Sequence, residues 1–194
     1  MTLELEAGKV IGLVGTPGFG LSRLGMGLLR DQPGWVAVID VRGWINPLAL
    51  WESGVAAERT VVVRCPDARQ WPQVTAALVE GMHAVYAEIP AGVTTPMLRR
   101  LGALARARST SVVLRPIDGD IPAGITHLRL EAQEVAWEGV GQGRGRLRER
   151  RFTLIASGKG VGGARHIFEV EDDGADTMRV VSRLAAALPG RAAG

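Results

Sequence analysis

Short apolar runs alternate along this chain with longer stretches in which apolar residues recur every three or four positions. Lys9–Val14 is such a run, ending at a glycine-rich turn, and it predicts a buried strand. Leu21, Leu24, Leu28 and Leu29 then keep a helical spacing, which predicts a helix from Leu21 to Arg30. Trp35–Asp40, Thr60–Cys65, His83–Ile89 and Ser111–Arg115 read as four more buried strands, two of them stopped by Pro66 and Pro90. Between them, helices are expected at Pro47–Ser53, opened by its proline, at Trp71–Glu80, and at Thr95–Arg108, whose outer face carries arginines. Strands and helices in this alternation predict a mostly parallel sheet covered by helices on both faces.

After residue 125 the rhythm changes. Thr126–Glu138, Arg151–Ser157 and Arg165–Val170 read as strands, with a turn-like stretch from Gly139 to Arg146, so antiparallel strands are expected at the end of the sheet. Thr177–Leu188 is expected to be a C-terminal helix. Met178, Val181, Leu184, Ala185 and Leu188 would share one face of it, packing on the domain or docking into a partner's groove. The fold class is therefore α/β, a single domain over residues 1–188, with a frayed tail over 189–194.

Composition narrows the class. Of the 194 residues 46% are apolar, enough for a sizeable core and too many for a disordered chain. No apolar run reaches membrane-spanning length, and the acidic start Met1–Glu6 is unlike a secretory signal. A lone cysteine, Cys65, permits no internal disulfide and fits a reducing cytoplasm, where the chain is expected, near the nucleoid when engaged. The net charge is only +3, and the basic residues are arginines apart from Lys9 and Lys159. That bias reflects either GC-rich coding or a use for bidentate contacts to phosphate and carboxylate. His83, His127 and His166 are scattered singly and have no metal-ligand spacing.

Candidate chemistry sits first in the loop after the first strand. Gly15-Thr16-Pro17-Gly18-Phe19-Gly20-Leu21-Ser22 keeps the glycine spacing and the hydroxyl of a phosphate-binding P-loop, and Gly15, Gly18, Gly20 and Ser22 preserve its shape. Leu21 stands where that motif requires lysine, and a leucine supplies no charge to a transferring phosphoryl group. The loop is then a ligand-free turn or a weak anion or nucleotide site, and no cofactor is expected.

From this loop onward the order of motifs resembles the RecA recombinases, from Leu5 to Val170. The resemblance is carried by the loop itself, by Val38-Ile39-Asp40-Val41-Arg42 with Asn46-Pro47 beyond it, by Thr60–Asp67, and by His83–Glu88. It implies a RecA-like core in which Arg42 occupies the catalytic glutamate's place and Glu88 the Walker B aspartate's. An arginine is opposite in charge to the group that should orient water. The resemblance also implies that the filament-joining N-terminal segment is absent. The stretches resembling the DNA-binding loops, 90–96 and 116–124, are short, and the second is acidic at Asp118 and Asp120. Small degenerate RecA-like proteins of the ImuA and ImuA-prime group are similar in size and composition. That likeness implies a non-catalytic accessory role in damage-tolerant DNA synthesis, beside an ImuB-type protein and an error-prone polymerase. The SulA cell-division inhibitors are a rival resemblance.

Three further features stand apart from this core. Gly158-Lys159-Gly160-Val161-Gly162-Gly163 matches a dinucleotide fingerprint by letter, but it leads toward a strand and not a helix, so a hairpin loop is expected. Arg144, Arg146, Arg148, Arg150 and Arg151, interrupted by Glu149, form a candidate DNA contact or a solvated edge, the basis of an alternative reading as a DNA-binding module. Of the tryptophans, most are expected in core or edge positions, with Trp44 or Trp51 as candidate partner anchors.

Overall fold

The computed structural model describes residues 4–140, 145–173 and 179–184. The described chain builds a nine-stranded sheet in the order β3-β2-β4-β5-β1-β6-β7-β8-β9. β1 (Val10–Val14), β2 (Val36–Asp40), β4 (Ala84–Ile89) and β5 (Ser111–Pro116) are buried on both faces, as continuous apolar runs require. β3 (Thr60–Arg64) is half-buried at one edge. All five pair in parallel.

Helices α1 (Leu21–Gly27) and α2 (Pro47–Glu52) cover one face, where Leu13, Leu21, Leu50 and Tyr86 lie in one apolar cluster. Helices α3 (Trp71–Gly81) and α4 (Thr95–Arg108) cover the other, over Ile39, Val85, Val112 and Leu114. Gly25 of α1 is one position where only glycine fits. A methyl there would meet the Tyr86 ring and lie 2.9 Å from Leu13, so the missing side chain lets α1 sit close on β4 and β1. Asn46 caps α2 by accepting a hydrogen bond from the Leu48 amide at 3.0 Å, with Pro47 in the first turn, so this pair has a local structural use.

β6 (Leu128–Val140) still runs parallel to β1, and antiparallel pairing begins with β7 (Gly145–Ser157) and continues through β8 (His166–Asp172). A bulge at Glu134, with φ of 48°, shifts the register between Gln133 and Val135. It carries the inward phase from Leu128, Leu130 and Ala132 over to Val135, as an extra residue must in a two-residue repeat. The glycine run after β7 forms a short turn at Lys159–Val161 leading into β8, the hairpin expected in place of a dinucleotide site.

Two expectations are corrected. The C-terminal segment is not helical where described: β9 (Arg179–Leu184) pairs antiparallel with β8. An unpaired edge on β8 offers a ladder of backbone hydrogen bonds, and the β-branched pair Val180-Val181 suits a strand, so tertiary pairing overrides the helical spacing. A helical face of Val181 and Leu184 does not form there, and Met178 and Leu188 lie outside the described residues. Tryptophan placement also differs. Trp71 is buried, whereas Trp35, Trp44, Trp51 and Trp137 are about half exposed or more, Trp44 reaching 71%. Among the described residues, no helix is long and apolar enough to cross a membrane.

Candidate functional site

The carboxyl ends of β1, β2, β4 and β5 converge beside the glycine loop, where open α/β sheets bind ligands. The loop turns on three glycines with positive φ, 148° at Gly15, 95° at Gly18 and 76° at Gly20, a region glycine enters without steric cost. Leu21 does not project into it. Its side chain is 1% exposed and packs back into the core under Gly15, so the place of a charged lysine has become part of the apolar interior.

Beyond β2 the chain turns around Asp40. Its buried carboxylate accepts hydrogen bonds from the amides of Gly43 at 2.7 Å, Trp44 at 3.2 Å and Ile45 at 3.3 Å. The sequence carried no signal that Asp40 would organise this loop beyond its position after an apolar run. The turn presents Arg42 to Glu88. The Glu88 carboxylate is fully buried and accepts from the Val41 amide at 3.0 Å, the Arg42 amide at 3.3 Å and Arg42 Nε at 3.1 Å, and Arg42 Nη2 closes the ion pair. The same guanidinium stacks on Trp44 at 4.6 Å. The side chains of Arg42 and Glu88 are thus spent on each other.

Glu88 lies opposite Arg115 in the sheet register, and the buried Arg115 donates from Nε to Ser22 Oγ at 3.3 Å and from Nη1 to the Pro116 carbonyl at 3.3 Å. Ser22, the hydroxyl that a P-loop offers to magnesium, is therefore turned toward an arginine. Tyr86 lies on the same face, with a buried hydroxyl that makes no well-formed hydrogen bond. Burial, partly offset by Arg115 and Ser22, pushes its pKa up to about 12. A cavity of about 340 Å³ opens above these residues, lined among others by Ser22, Met26, Arg42, Trp44, Asn46 and Glu52.

The antiparallel extension closes the other side of the loop. Arg150 of β7 donates from Nη1 to the Gly18 carbonyl at 3.1 Å and pairs through Nη2 with Asp172 of β8, while Arg23 of α1 reaches Asp172 at 3.4 Å. Its guanidinium lies 5.1 Å from the Trp137 ring centroid, and a methyl at Gly20 would run into it. The loop is latched to the sheet by an arginine 132 positions away in sequence. Nothing in the sequence marks Arg150 for this over its neighbours, because the bulge at Glu134 and the register of β7 choose it.

The candidate DNA-contacting arginines are dispersed by the same geometry. Arg150 faces inward, and Arg151 is ringed by Glu149 at 2.8 Å, Glu171 at 2.8 Å and Glu138 at 3.8 Å. Hydrogen bonding to Glu149, with Glu171 beside it, raises the Arg151 pKa. Glu149 of the same strand and Glu138 and Glu171 of the adjacent strands thus offset the charge of Arg151. Arg148 is exposed, Arg146 lies in β7, and Arg144 lies outside the described residues. In the acidic segment after β5, burial favours a higher pKa for Asp120, but hydrogen bonds from Arg129 and the Ile121 amide hold it below its usual value. Burial, with Asp67 nearby, pushes the Cys65 thiol up, which disfavours the reactive thiolate.

The family model of the MT3502 N-terminal domain matches residues 5–119, the span that holds the glycine loop, Arg42 and Glu88. The chain belongs to the MT3502 N-terminal domain family. The family's span runs from the segment before β1 into the acidic stretch after β5, so the latch from Arg150 and Asp172 is contributed by the strands beyond it. Among solved structures, the crystal structure of the RadB recombinase is similar, with a TM-score of 0.63 over 92% of this chain and 93% of that chain, at 14% identity. The fold is RecA-like α/β. No curated protein sequence matches the chain.

Proposed function

We propose that this chain is a non-catalytic RecA-like accessory protein of DNA-damage tolerance. It acts by protein contacts, with an ImuB-type protein and an error-prone polymerase as its partners in translesion synthesis. The observation that carries the reading is the closed pair of Arg42 and Glu88 beside a loop whose Leu21 is buried in the core. Phosphoryl transfer depends on charges placed around the phosphates, and losing one such donor costs on the order of 10²–10³ in rate. Here the lysine's place is apolar and the acid's place is cationic. The ImuA-type role and its partners rest on the resemblance of the motifs, supported by the RecA-like fold.

The test has two arms. The purified chain with ATP, magnesium and single-stranded DNA is expected to show no turnover above background, and turnover at ordinary recombinase rates would sink the reading. Co-expressed with an ImuB-type protein and the polymerase from the same source, it is expected to co-purify, and its failure to join either would remove the partner assignment. Binding to DNA that weakens when Arg144, Arg146 and Arg148 become alanine would favour the DNA-binding module instead.

A further inference from the structure

We propose that the open edge of the sheet at β3 pairs with the same edge of a second copy of this chain, making a two-fold dimer with one continuous sheet. β3 bonds to β2 on its inner side, in a regular register from Val36 and Thr60 to Asp40 and Arg64. The Cys65 amide donates to the Asp40 carbonyl at 3.0 Å, which fixes the phase of the strand. Backbone groups alternate in direction along a strand, so those of Val61 and Val63 point toward β2. The N–H and C=O of Val62 and Arg64 and the Thr60 carbonyl point outward, and among the described residues they have no partner. The Thr60 amide is already used, donating to the Ala57 carbonyl. Native sheets guard such an edge with a charge, a proline or a bulge. β3 instead runs three successive valines in unbroken register, and its one charge, Arg64, comes at the end.

The edge is complementary to itself. In an antiparallel pairing centred on Val62, each Val62 exchanges both backbone bonds with its mate, and each Arg64 amide donates to the Thr60 carbonyl of the second copy. The side chains match as well. Val61 falls opposite Val63 of the second copy, so valines that are half-buried in one chain cover each other. Arg64 falls opposite Thr60 and not opposite another arginine, as a parallel pairing of the two copies would set it. Glu58 is exposed in the turn before Thr60, while Arg59 is turned away onto the Gln32 carbonyl at 3.1 Å. The incoming guanidinium therefore meets an acid and no like charge.

The helix above the edge obeys the same symmetry. α1 sits on β4 and β1 through Gly25, and α2 lies beyond it toward β3, with Leu50 and Val62 in one apolar cluster. Ala49, Glu52 and Ser53 line the cavity shared with α1, and Leu50 is buried beneath. That leaves Leu48 and Trp51 on the flank turned from α1, where they are 50% and 46% exposed. An antiparallel two-fold keeps α2 of both copies on one face of the joined sheet, separated by two strand spacings, roughly 10 Å. Packed helices lie about 8–10 Å apart, so the two flanks bury Leu48 and Trp51 against each other. A lone extended peptide on this edge would satisfy the backbone groups but leave that flank in water, so a second copy is the better occupant.

The oligomeric state of the purified full chain tests this, whatever its ATP turnover or its partners. Light scattering after size exclusion and sedimentation over about 1–100 µM should show a monomer–dimer equilibrium. Arg64→Pro removes an outward N–H that nothing inside the described chain uses, and should raise the dissociation constant at least about tenfold. Trp51→Glu, at an exposed position, should do the same with an unchanged circular dichroism spectrum, and keeps the test open should the proline disturb the strand. Val62→Cys places a thiol on the two-fold axis, where paired Cα atoms lie about 5.5 Å apart, within disulfide reach. Mild oxidation should then give a covalent dimer, which the parent, with its buried Cys65, should not form. The Val62 and Arg64 amides should be protected from exchange in the parent at high concentration and exposed in Trp51→Glu. A parent that stays monomeric over the whole range overturns the proposal. So does a dimer that survives both Arg64→Pro and Trp51→Glu, or one that Val62→Cys does not cross-link, since either uses another surface.

Discussion

Arg42→Met tests whether the pair of Arg42 and Glu88 is a structural clamp. Glu88 is fully buried, and its carboxylate is satisfied by two backbone amides and the Arg42 guanidinium. Stripping one partner from a buried ion pair costs about 3–5 kcal/mol, because the remaining charge is left without compensation. Here the Val41 and Arg42 amides survive the substitution and Arg115 lies alongside, so the expected loss is smaller, about 2–3 kcal/mol. For a domain of this size that corresponds to a fall in Tm of about 4–12 °C. Urea unfolding followed by circular dichroism and tryptophan fluorescence measures it, Trp44 being a local probe because Arg42 stacks on it. The double variant Arg42→Met/Glu88→Gln should recover most of the loss, since the uncompensated charge is gone. The reasoning fails if Arg42→Met lies within about 0.5 kcal/mol of the parent, the range of ordinary surface substitutions. It also fails if the double variant is as unstable as the single one.

Two other residues carry predictions. Tyr86 holds its neutral phenol in the fold with a pKa of about 12, against about 10 when unfolded, so the unfolded state loses its proton first as pH rises. Stability should therefore fall between pH 10 and 12, by about 2–3 kcal/mol in all, and the decline should flatten in Tyr86→Phe. At pH 7 Tyr86→Phe should be neutral or stabilising by up to about 1 kcal/mol, because the buried hydroxyl has no good partner; a loss above about 1 kcal/mol in urea titration would show that the hydroxyl is bonded. Arg150→Ala should cost about 1–3 kcal/mol and speed amide exchange across residues 15–20, since it releases the Gly18 carbonyl and removes one cation from the buried Asp172. Unchanged exchange in that loop would mean that Arg150 does not latch it.

Most of the sheet was legible because its information is local. The apolar runs at Val10–Val14, Val36–Asp40 and Ala84–Ile89 are strands on either side of turn or helix signals, and α4 spans the residues its periodicity predicts. The glycine loop and Leu21 within it were likewise marked by motif spacing, whereas Arg42 and Glu88 were marked only by the resemblance to RecA recombinases. The partners of those residues were not. Arg42 could have been a surface cation, and only the turn around Asp40 brings it onto Glu88. Arg150 looked equivalent to Arg148 and Arg151 until the bulge at Glu134 and the pairing with β8 set which of them faces inward. The segment Arg179–Leu184 carried a helical spacing and became a strand because β8 had an edge to pair. The amino-acid sequence by itself determined the RecA-like order of elements and the loss of the expected charges from the loop. Tertiary structure decided what replaced those charges, because ion pairs between distant strands depend on register, and register is settled by the whole sheet at once.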